Sequence, residues 1–171
     1  TPWRAEVMRA VIDDAIGAAA TVGAPPTWVL SNHDVTRTVT RFARSQPEHL
    51  VGTDWERNRW ADEDPDHALG RKRARAAALV QLALPGTAYV YQGEELALEE
   101  IEDLPDDVRQ DPTWAQSGFT DVGRDGCRIP LPWTDTAPPY GFAAESGSAS
   151  WLPQPAHWGE HSVEAQERDP D

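Results

Sequence analysis

Trp28-Val29-Leu30-Ser31-Asn32-His33-Asp34 is the stretch on which the fold turns. Pro25 and Pro26 stop whatever precedes it. Trp28, Val29 and Leu30 then form an unbroken apolar run, of the kind required by a parallel strand buried on both faces. The run ends in four polar groups. In parallel α/β folds the carboxyl ends of strands are where ligands bind and chemistry occurs. A polar turn closing a strand is the alternative reading of the tetrapeptide alone, because Asn and Asp favour turns through local hydrogen bonds.

Upstream, Thr1-Pro2 reads as an N-cap followed by proline at the first helical position. Trp3, Val7 and Val11 recur every four residues, with Met8, Ile12 and Ile16 beside them, which predicts an amphipathic helix. It should end near Ala20, with Gly23 available as a left-handed cap. Downstream, the spacing of Arg37, Arg41 and Arg44 predicts a short helix with one basic face over 35–44. Arg41 and Arg44 read as a solvated face, whereas Arg37 is close enough to Asp34 to fix the site by pairing with a carboxylate. Residues 45–66 are polar and read as a long loop carrying Trp55 and Trp60.

The pattern then repeats. Asp66 can cap a second helix over 67–84, with Leu69, Ala76, Leu79, Val80, Ala83 and Leu84 as its apolar side. Arg71, Lys72, Arg73 and Arg75 crowd its first turns against the dipole preference, so acidic neighbours in the preceding loop are expected to compensate. Pro85-Gly86 breaks the helix, and a short strand over 88–91 ends in Gln92, Gly93, Glu94 and Glu95. Helix, strand, polar tip, twice over, fits successive units of a parallel sheet or barrel in an α/β fold. Residues 96–112 are strongly acidic and predict a loop with one short helix near 106–110. Beyond Thr113 periodicity is lost, and only 162–171 suggest the start of another helix.

The chain has 171 residues, enough for one domain with a core. Its net charge of −14, from 15 basic against 29 acidic residues, argues against nucleic acid and anionic membranes as partners. No apolar run approaches the roughly 20 residues of a membrane span, and the first residues do not read as a signal peptide. Cys127 is the one cysteine, which suits a reducing compartment such as the cytoplasm. Eight tryptophans, mainly in predicted loops, would suit the flat apolar face of a sugar ring, although ordinary packing is the more common use.

Three stretches carry a resemblance. Asn32-His33-Asp34 at one strand end, Tyr91-Gln92-Gly93-Glu94-Glu95-Leu96 at the next, and Gly123-Arg124-Asp125 with Arg128-Ile129-Pro130-Leu131-Pro132-Trp133 resemble the α-amylase superfamily of glycoside hydrolases, family 13. The third stretch is similar to its α-glucosidase and oligo-1,6-glucosidase branch. The resemblance implies the C-terminal portion of a (β/α)8 TIM barrel, from helix 6 to strand 8 and the loops beyond. Residues 1–171 would then be a partial catalytic domain, with the family's C-terminal β-sandwich absent. The remainder of the parent barrel would be its structural partner. The family's nucleophile and acid/base lie on strands 4 and 5, to which nothing in this chain matches.

By the same resemblance Asp34 is the third carboxylate of the site, a transition-state stabiliser that binds ring hydroxyls of the distorted sugar. Asn32 and His33 belong to the same substrate-binding motif, with His33 donating to a hydroxyl. Arg124 matches the arginine that closes the pocket around a non-reducing end; Arg128 is the alternative for this role, and the choice stays open. Glu94 would shape the leaving-sugar subsite, the bland alternative being surface charge at a loop start. The implied activity is that of a retaining α-glucosidase releasing glucose from short α-linked oligosaccharides. Trehalose synthesis, sucrose isomerisation, transglucosylation and a non-catalytic carbohydrate-binding role are the alternatives. His33, Asp34 and Glu94 include metal-ligand types but lack the spacing of a dedicated site, so no metal and no cofactor is expected.

Overall fold

A computed structural model describes residues 3–44, 64–143 and 149–169. Helix α1 spans Ala5–Thr21 and closes on Val22, after which Gly23 takes a left-handed φ of 65°. The expected cap at Thr1-Pro2 lies outside the described residues; the helix opens at Arg4 without a side-chain cap. Strand β1, Thr27–Val29, pairs in parallel with β2, Thr87–Tyr89, in the register Thr27–Thr87, Trp28–Ala88 and Val29–Tyr89. Between the strands run α2, Thr38–Ala43, and α3, His67–Ala83. Asp66 caps α3 as expected, its carboxylate accepting from the Leu69 N–H at 2.9 Å. The predicted loop at 45–66, with Trp55 and Trp60, falls mostly outside the described residues.

Past β2 the chain makes a short 3-10 turn at Asp106–Val108, helix α4 at Pro112–Gln116, and a second 3-10 turn at Asp125–Cys127. A third turn at Ala156–His161 leads into α5, Val163–Glu167, which Ser162 caps. The buried apolar cluster lies in this region: Leu98, Ile101, Leu104, Ile129, Tyr140 and Trp158 form its centre. The loops beyond the strand tips therefore have a core of their own, and that core holds the polar tips in place.

The sheet-facing expectations need correction. The β1 run is not buried on both faces, since Val29 is 51% exposed. Two strands cannot cover each other's faces, and among the described residues neither outer edge is paired. Nor does α3 bury Leu69, Ala76, Leu79, Val80, Ala83 and Leu84 as one face. It buries Gly70, Ala74 and Ala77, a row of small residues against α2, together with Gln81, while Leu79 and Leu82 stand in solvent. The reason is close approach: a Cβ on Gly70 would sit 2.2 Å from the Val39 carbonyl oxygen. Gln81 reaches back to the sheet, its amide donating to the carbonyls of Trp28 (3.2 Å) and Tyr89 (2.7 Å).

The arginines of α2 are also corrected. Arg44 is buried and makes a two-pronged contact with Glu102, both bonds 2.7 Å. Arg41 is half-buried and donates to the Leu30 carbonyl at the end of β1. Neither forms a solvated face. On α3, Arg71 is offset by Glu99 at 2.8 Å, a residue downstream in sequence, while most of the preceding loop, from which compensation was expected, lies outside the described residues.

Candidate active site

The turn after β1 is built locally. The Asn32 side chain accepts from the Asp34 N–H at 2.8 Å, an Asx turn that leaves His33 and Asp34 exposed at the strand tip. Two guanidinium groups then converge on one oxygen of Asp34. Arg124 donates to Oδ1 at 2.8 Å and Arg128 to the same atom at 3.2 Å, while His33 Nε2 lies 3.4 Å from Oδ2. Arg128 also donates to the His33 carbonyl at 3.0 Å. Residues about ninety positions apart in sequence thus form one polar patch at the carboxyl end of β1.

The arginines are themselves held from below. Asp111 is buried; its carboxylate accepts from the Arg124 backbone N–H at 3.0 Å and from the Arg124 guanidinium. The Arg124 guanidinium beside Asp111 holds that carboxyl well below the usual carboxylate range, and the same pairing raises the Arg124 pKa in turn. Asp111 is fixed by Asp125, whose Oδ2 accepts from the N–H groups of Gln110 (2.7 Å) and Asp111 (2.9 Å). The chain of support runs Asp125, Asp111, Arg124, Asp34. Sequence reasoning missed Asp111 and Asp125 as members of this chain. The Asp111-Pro112 pair, an N-cap followed by a helix-opening proline, was the available signal.

Arg37 joins the same structure without pairing its side chain to a carboxylate. It is 2% exposed, and its guanidinium donates to the carbonyls of Gln92 (2.7 Å) and Cys127 (2.8 Å), tying the tip of β2 to the turn that carries Arg124 and Arg128. The rings of Tyr91 and Trp158 lie 5.7 and 5.8 Å from its Cζ. Gly93 makes room for it: φ is 89°, and a Cβ there would meet Arg37 Nη1 at 2.3 Å. Cys127 is buried in the same turn, and burial pushes its thiol up to about 12, which leaves it protonated and inert at neutral pH.

Glu94 lies at the tip of β2. Its Oε2 accepts from the Tyr91 N–H at 2.8 Å, and among the described residues its buried Oε1 has no hydrogen-bond partner. Burial raises its pKa. Among the described residues no hydrogen bond or ion pair joins Glu94 to His33, Asp34, Arg124 or Arg128. Among the described residues no three His, Cys, Asp or Glu side chains are placed to hold a metal ion, and no helix is long and apolar enough to cross a membrane. An exposed carboxylate flanked by guanidinium and imidazole donors suits a neutral ligand rich in hydroxyls, each of which can donate to one group and accept from the next.

The parallel strands, intervening helices and polar strand tips define an α/β enzyme-type scaffold with its site at the carboxyl ends of the strands. Residues 7–171 match the family "Alpha amylase, catalytic domain". The chain belongs to that family of (β/α)8-barrel proteins. It is 38% identical over 143 residues to a "Probable alpha-glucosidase" of Rhizobium meliloti (strain 1021), covering 84% of this chain and 21% of that protein. It is 28% identical to "Glucan 1,6-alpha-glucosidase" of Streptococcus dysgalactiae subsp. equisimilis, covering 81% of this chain and 30% of that one. Among solved structures, the alpha-glucosyl transfer enzyme XgtA superposes with a TM-score of 0.63 at 33% identity, covering 94% of this chain and 25% of the other. The chain thus spans from about a fifth to under a third of the length of these relatives.

Proposed function

We propose that the chain forms the part of an α-glucosidase barrel running from helix 6 through strand 8 and the loops beyond. In this assignment α1 is helix 6, β1 strand 7, α3 helix 7 and β2 strand 8. The enzyme would release glucose from the non-reducing ends of short α-linked oligosaccharides with retention of configuration. The observation that carries this reading is the convergence of Arg124 and Arg128 on Asp34 at the end of β1. The similarity to a probable alpha-glucosidase supports it.

Asp34 would accept from ring hydroxyls of the sugar bound nearest the reacting carbon. Those bonds strengthen as positive charge develops on the ring, which is the condition for lowering the barrier rather than merely tightening binding. His33 would donate to a hydroxyl of the same sugar. Arg124, held rigid by Asp111, would wall off the non-reducing end, and Arg128 would complete that wall. The unpartnered Oε1 of Glu94 is an acceptor suited to a hydroxyl of the leaving sugar. The nucleophile and the acid/base would come from the remainder of the barrel. The single cysteine favours a cytoplasmic enzyme. Transfer of the glucosyl unit to a second sugar is the alternative outcome, favoured by the likeness to an alpha-glucosyl transfer enzyme.

Asp34→Asn in the full-length enzyme tests the reading. Turnover of maltose and isomaltose should fall roughly a hundredfold or more, the scale of losing one preorganised charge stabiliser, with the thermal midpoint little changed. Near wild-type turnover in a folded variant would remove Asp34 from the chemistry.

A further inference from the structure

We propose that Arg71, Glu99 and His161 form an acid-released clamp, which fastens the Ala156–His161 turn to α3 and, through Trp158 and Arg37, steadies the candidate site. The effect on turnover rests on the α-glucosidase reading above; the clamp itself rests on the contacts alone.

The Glu99 carboxylate is buried. Its Oε2 accepts from Arg71 at 2.8 Å, and its Oε1 accepts from Trp158 Nε1 at 3.0 Å and faces His157 Nε2 at 2.5 Å. The same Arg71 nitrogen lies 2.9 Å from His161 Nε2. A guanidinium carries donors only, so Nε2 accepts, and the bond exists only while that nitrogen keeps its lone pair. A proton there turns the acceptor into a donor and places two cations side by side. Burial lowers the His161 pKa from the ordinary 6.5, and Arg71 and His157 add to the fall against the pull of Glu99 and Glu160. The contribution of this contact is therefore present above 6.5 and lost as pH falls through the lower folded value.

His67, at the start of α3, acts in the same sense. Burial lowers its pKa, with Arg71 and Arg44 adding to the fall and Glu99 and Glu102 opposing it. Among the described residues its buried Nε2 has no hydrogen-bond partner. His157 acts the other way, since a proton strengthens its bond to Glu99. Its side chain is 55% exposed, however, and solvent screens that gain. The route to the site is short. Trp158 is fully buried, and its ring lies 5.8 Å from Cζ of Arg37, whose guanidinium holds the carbonyls of Gln92 and Cys127. Opening the Ala156–His161 turn removes that ring from Arg37, and with it a support of the turn that carries Arg124 and Arg128.

The test compares the full-length enzyme with His161→Gln and Arg71→Gln. The first substitution keeps an acceptor for Arg71 at every pH; the second keeps a donor for Glu99 and offers a carbonyl to a protonated His161. Backbone hydrogen exchange over 156–167, corrected for its intrinsic rate, and kcat/KM on maltose are followed from about pH 7.5 to about 5. Exchange in the wild type should rise by up to about tenfold per pH unit once His161 titrates, the limit for one proton. Turnover relative to the variants should fall in parallel, and both variants should lose most of this dependence. An acid limb contributed by catalytic carboxylates is common to all three proteins and cancels in their ratio. Flat exchange in the wild type, an equal rise in the variants, or a rise that leaves the turnover ratio unchanged overturns the clamp. Each variant decides alone if the other does not fold. If the wild type releases no glucose from maltose, the α-glucosidase reading fails separately, and exchange still decides the clamp.

Discussion

Replacing Glu100 by Gln should change how stability depends on pH, in a direction and by an amount the structure sets. Glu100 lies beneath the turn that carries both site arginines. Its Oε2 accepts from the Arg37 N–H at 2.9 Å, its own N–H donates to Thr40 Oγ1 at 2.9 Å, and a Cβ on Gly126 would sit 2.6 Å from its Oε1. Burial pushes this carboxyl from its ordinary 4.5 up to about 7, against the opposing pull of the Arg37 N–H bond and the Arg37 and Arg41 charges; Glu102 adds to the rise and Cys127 also faces it. Because the folded value is the higher one, the contribution to stability is complete below about 4.5. It is lost as pH rises through about 7. At about 1.36 kcal/mol for each tenfold change in proton concentration, the loss comes to about 3 kcal/mol. Gln keeps an acceptor for the Arg37 N–H and cannot ionise. Urea unfolding of the full-length enzyme and of Glu100→Gln, at intervals from pH 4 to 8, should show the difference moving toward the variant by about 3 kcal/mol. Parallel curves across that range would refute the reasoning.

Arg124→Ala should cost about 3 kcal/mol of stability by removing the closest cation from the buried Asp111 carboxylate, leaving Arg128 at 3.9 Å. Arg128→Ala, whose contact with Asp111 is longer at 3.9 Å, should lower kcat/KM with a smaller change in the thermal midpoint; equal midpoints for the two would remove the division of labour. Gly70→Ala should destabilise by about 2–3 kcal/mol, because its Cβ meets backbone rather than a movable side chain, and denaturant midpoints measure this directly. His161 Nε2 lies 2.9 Å from an Arg71 N–H, and burial together with that cation lowers its pKa from the ordinary 6.5. Its contribution is therefore present above 6.5 and lost as pH falls through the lower folded value, so His161→Gln should flatten the fall of the thermal midpoint between pH 7 and 5.

The tips of the strands were legible in the sequence because they are local. Two apolar runs broken by proline and glycine, each ending in polar residues, specify a strand end without reference to anything distant, and β1 and β2 pair in parallel accordingly. The candidates Asn32, His33, Asp34, Glu94, Arg124 and Arg128 were named through motif resemblance, and His33, Asp34, Arg124 and Arg128 meet through their side chains. What stayed hidden was the support. Asp125, Asp111 and Arg37 act through contacts that cross 13 to 90 positions, and no periodicity encodes such a pairing. The acidic stretch read as loop contains Glu99, which is 1% exposed. Burial alone would raise its pKa, but bonds from His157 at 2.5 Å, Trp158 at 3.0 Å and Arg71 at 2.8 Å outweigh it, and the net pKa falls. A residue's charge says nothing of its exposure when its partners lie elsewhere in the chain.

The helix faces went the other way, and they lead to the last prediction. The stripes on α1 and α3 are real as sequence patterns, yet α1 buries none of its residues and Val11, Leu79, Val80 and Leu82 are exposed. Tyr89 on β2 is 59% exposed, like Val29 beside it. Such faces are amphipathic because they are meant to be covered, and in the barrel proposed above the sheet that covers them would extend beyond two strands. The polypeptide 1–171, produced alone, should therefore not unfold as one cooperative unit. Ordering each residue costs about 1–2 kcal/mol whether or not its neighbours are present, whereas the return of about 25 cal/mol per Å² exists only for surface removed from water. The loop core around Ile129 and Trp158 buries its side chains fully, but the helix and strand surfaces do not. Circular dichroism should show helix, the thermal transition should be broad, and a hydrophobic dye should bind. Addition of the rest of the barrel proposed above, as a separate polypeptide, should sharpen the transition and displace the dye. A sharp cooperative transition of the isolated polypeptide, with dispersed side-chain NMR signals, would refute the argument that its exposed faces belong to a larger sheet.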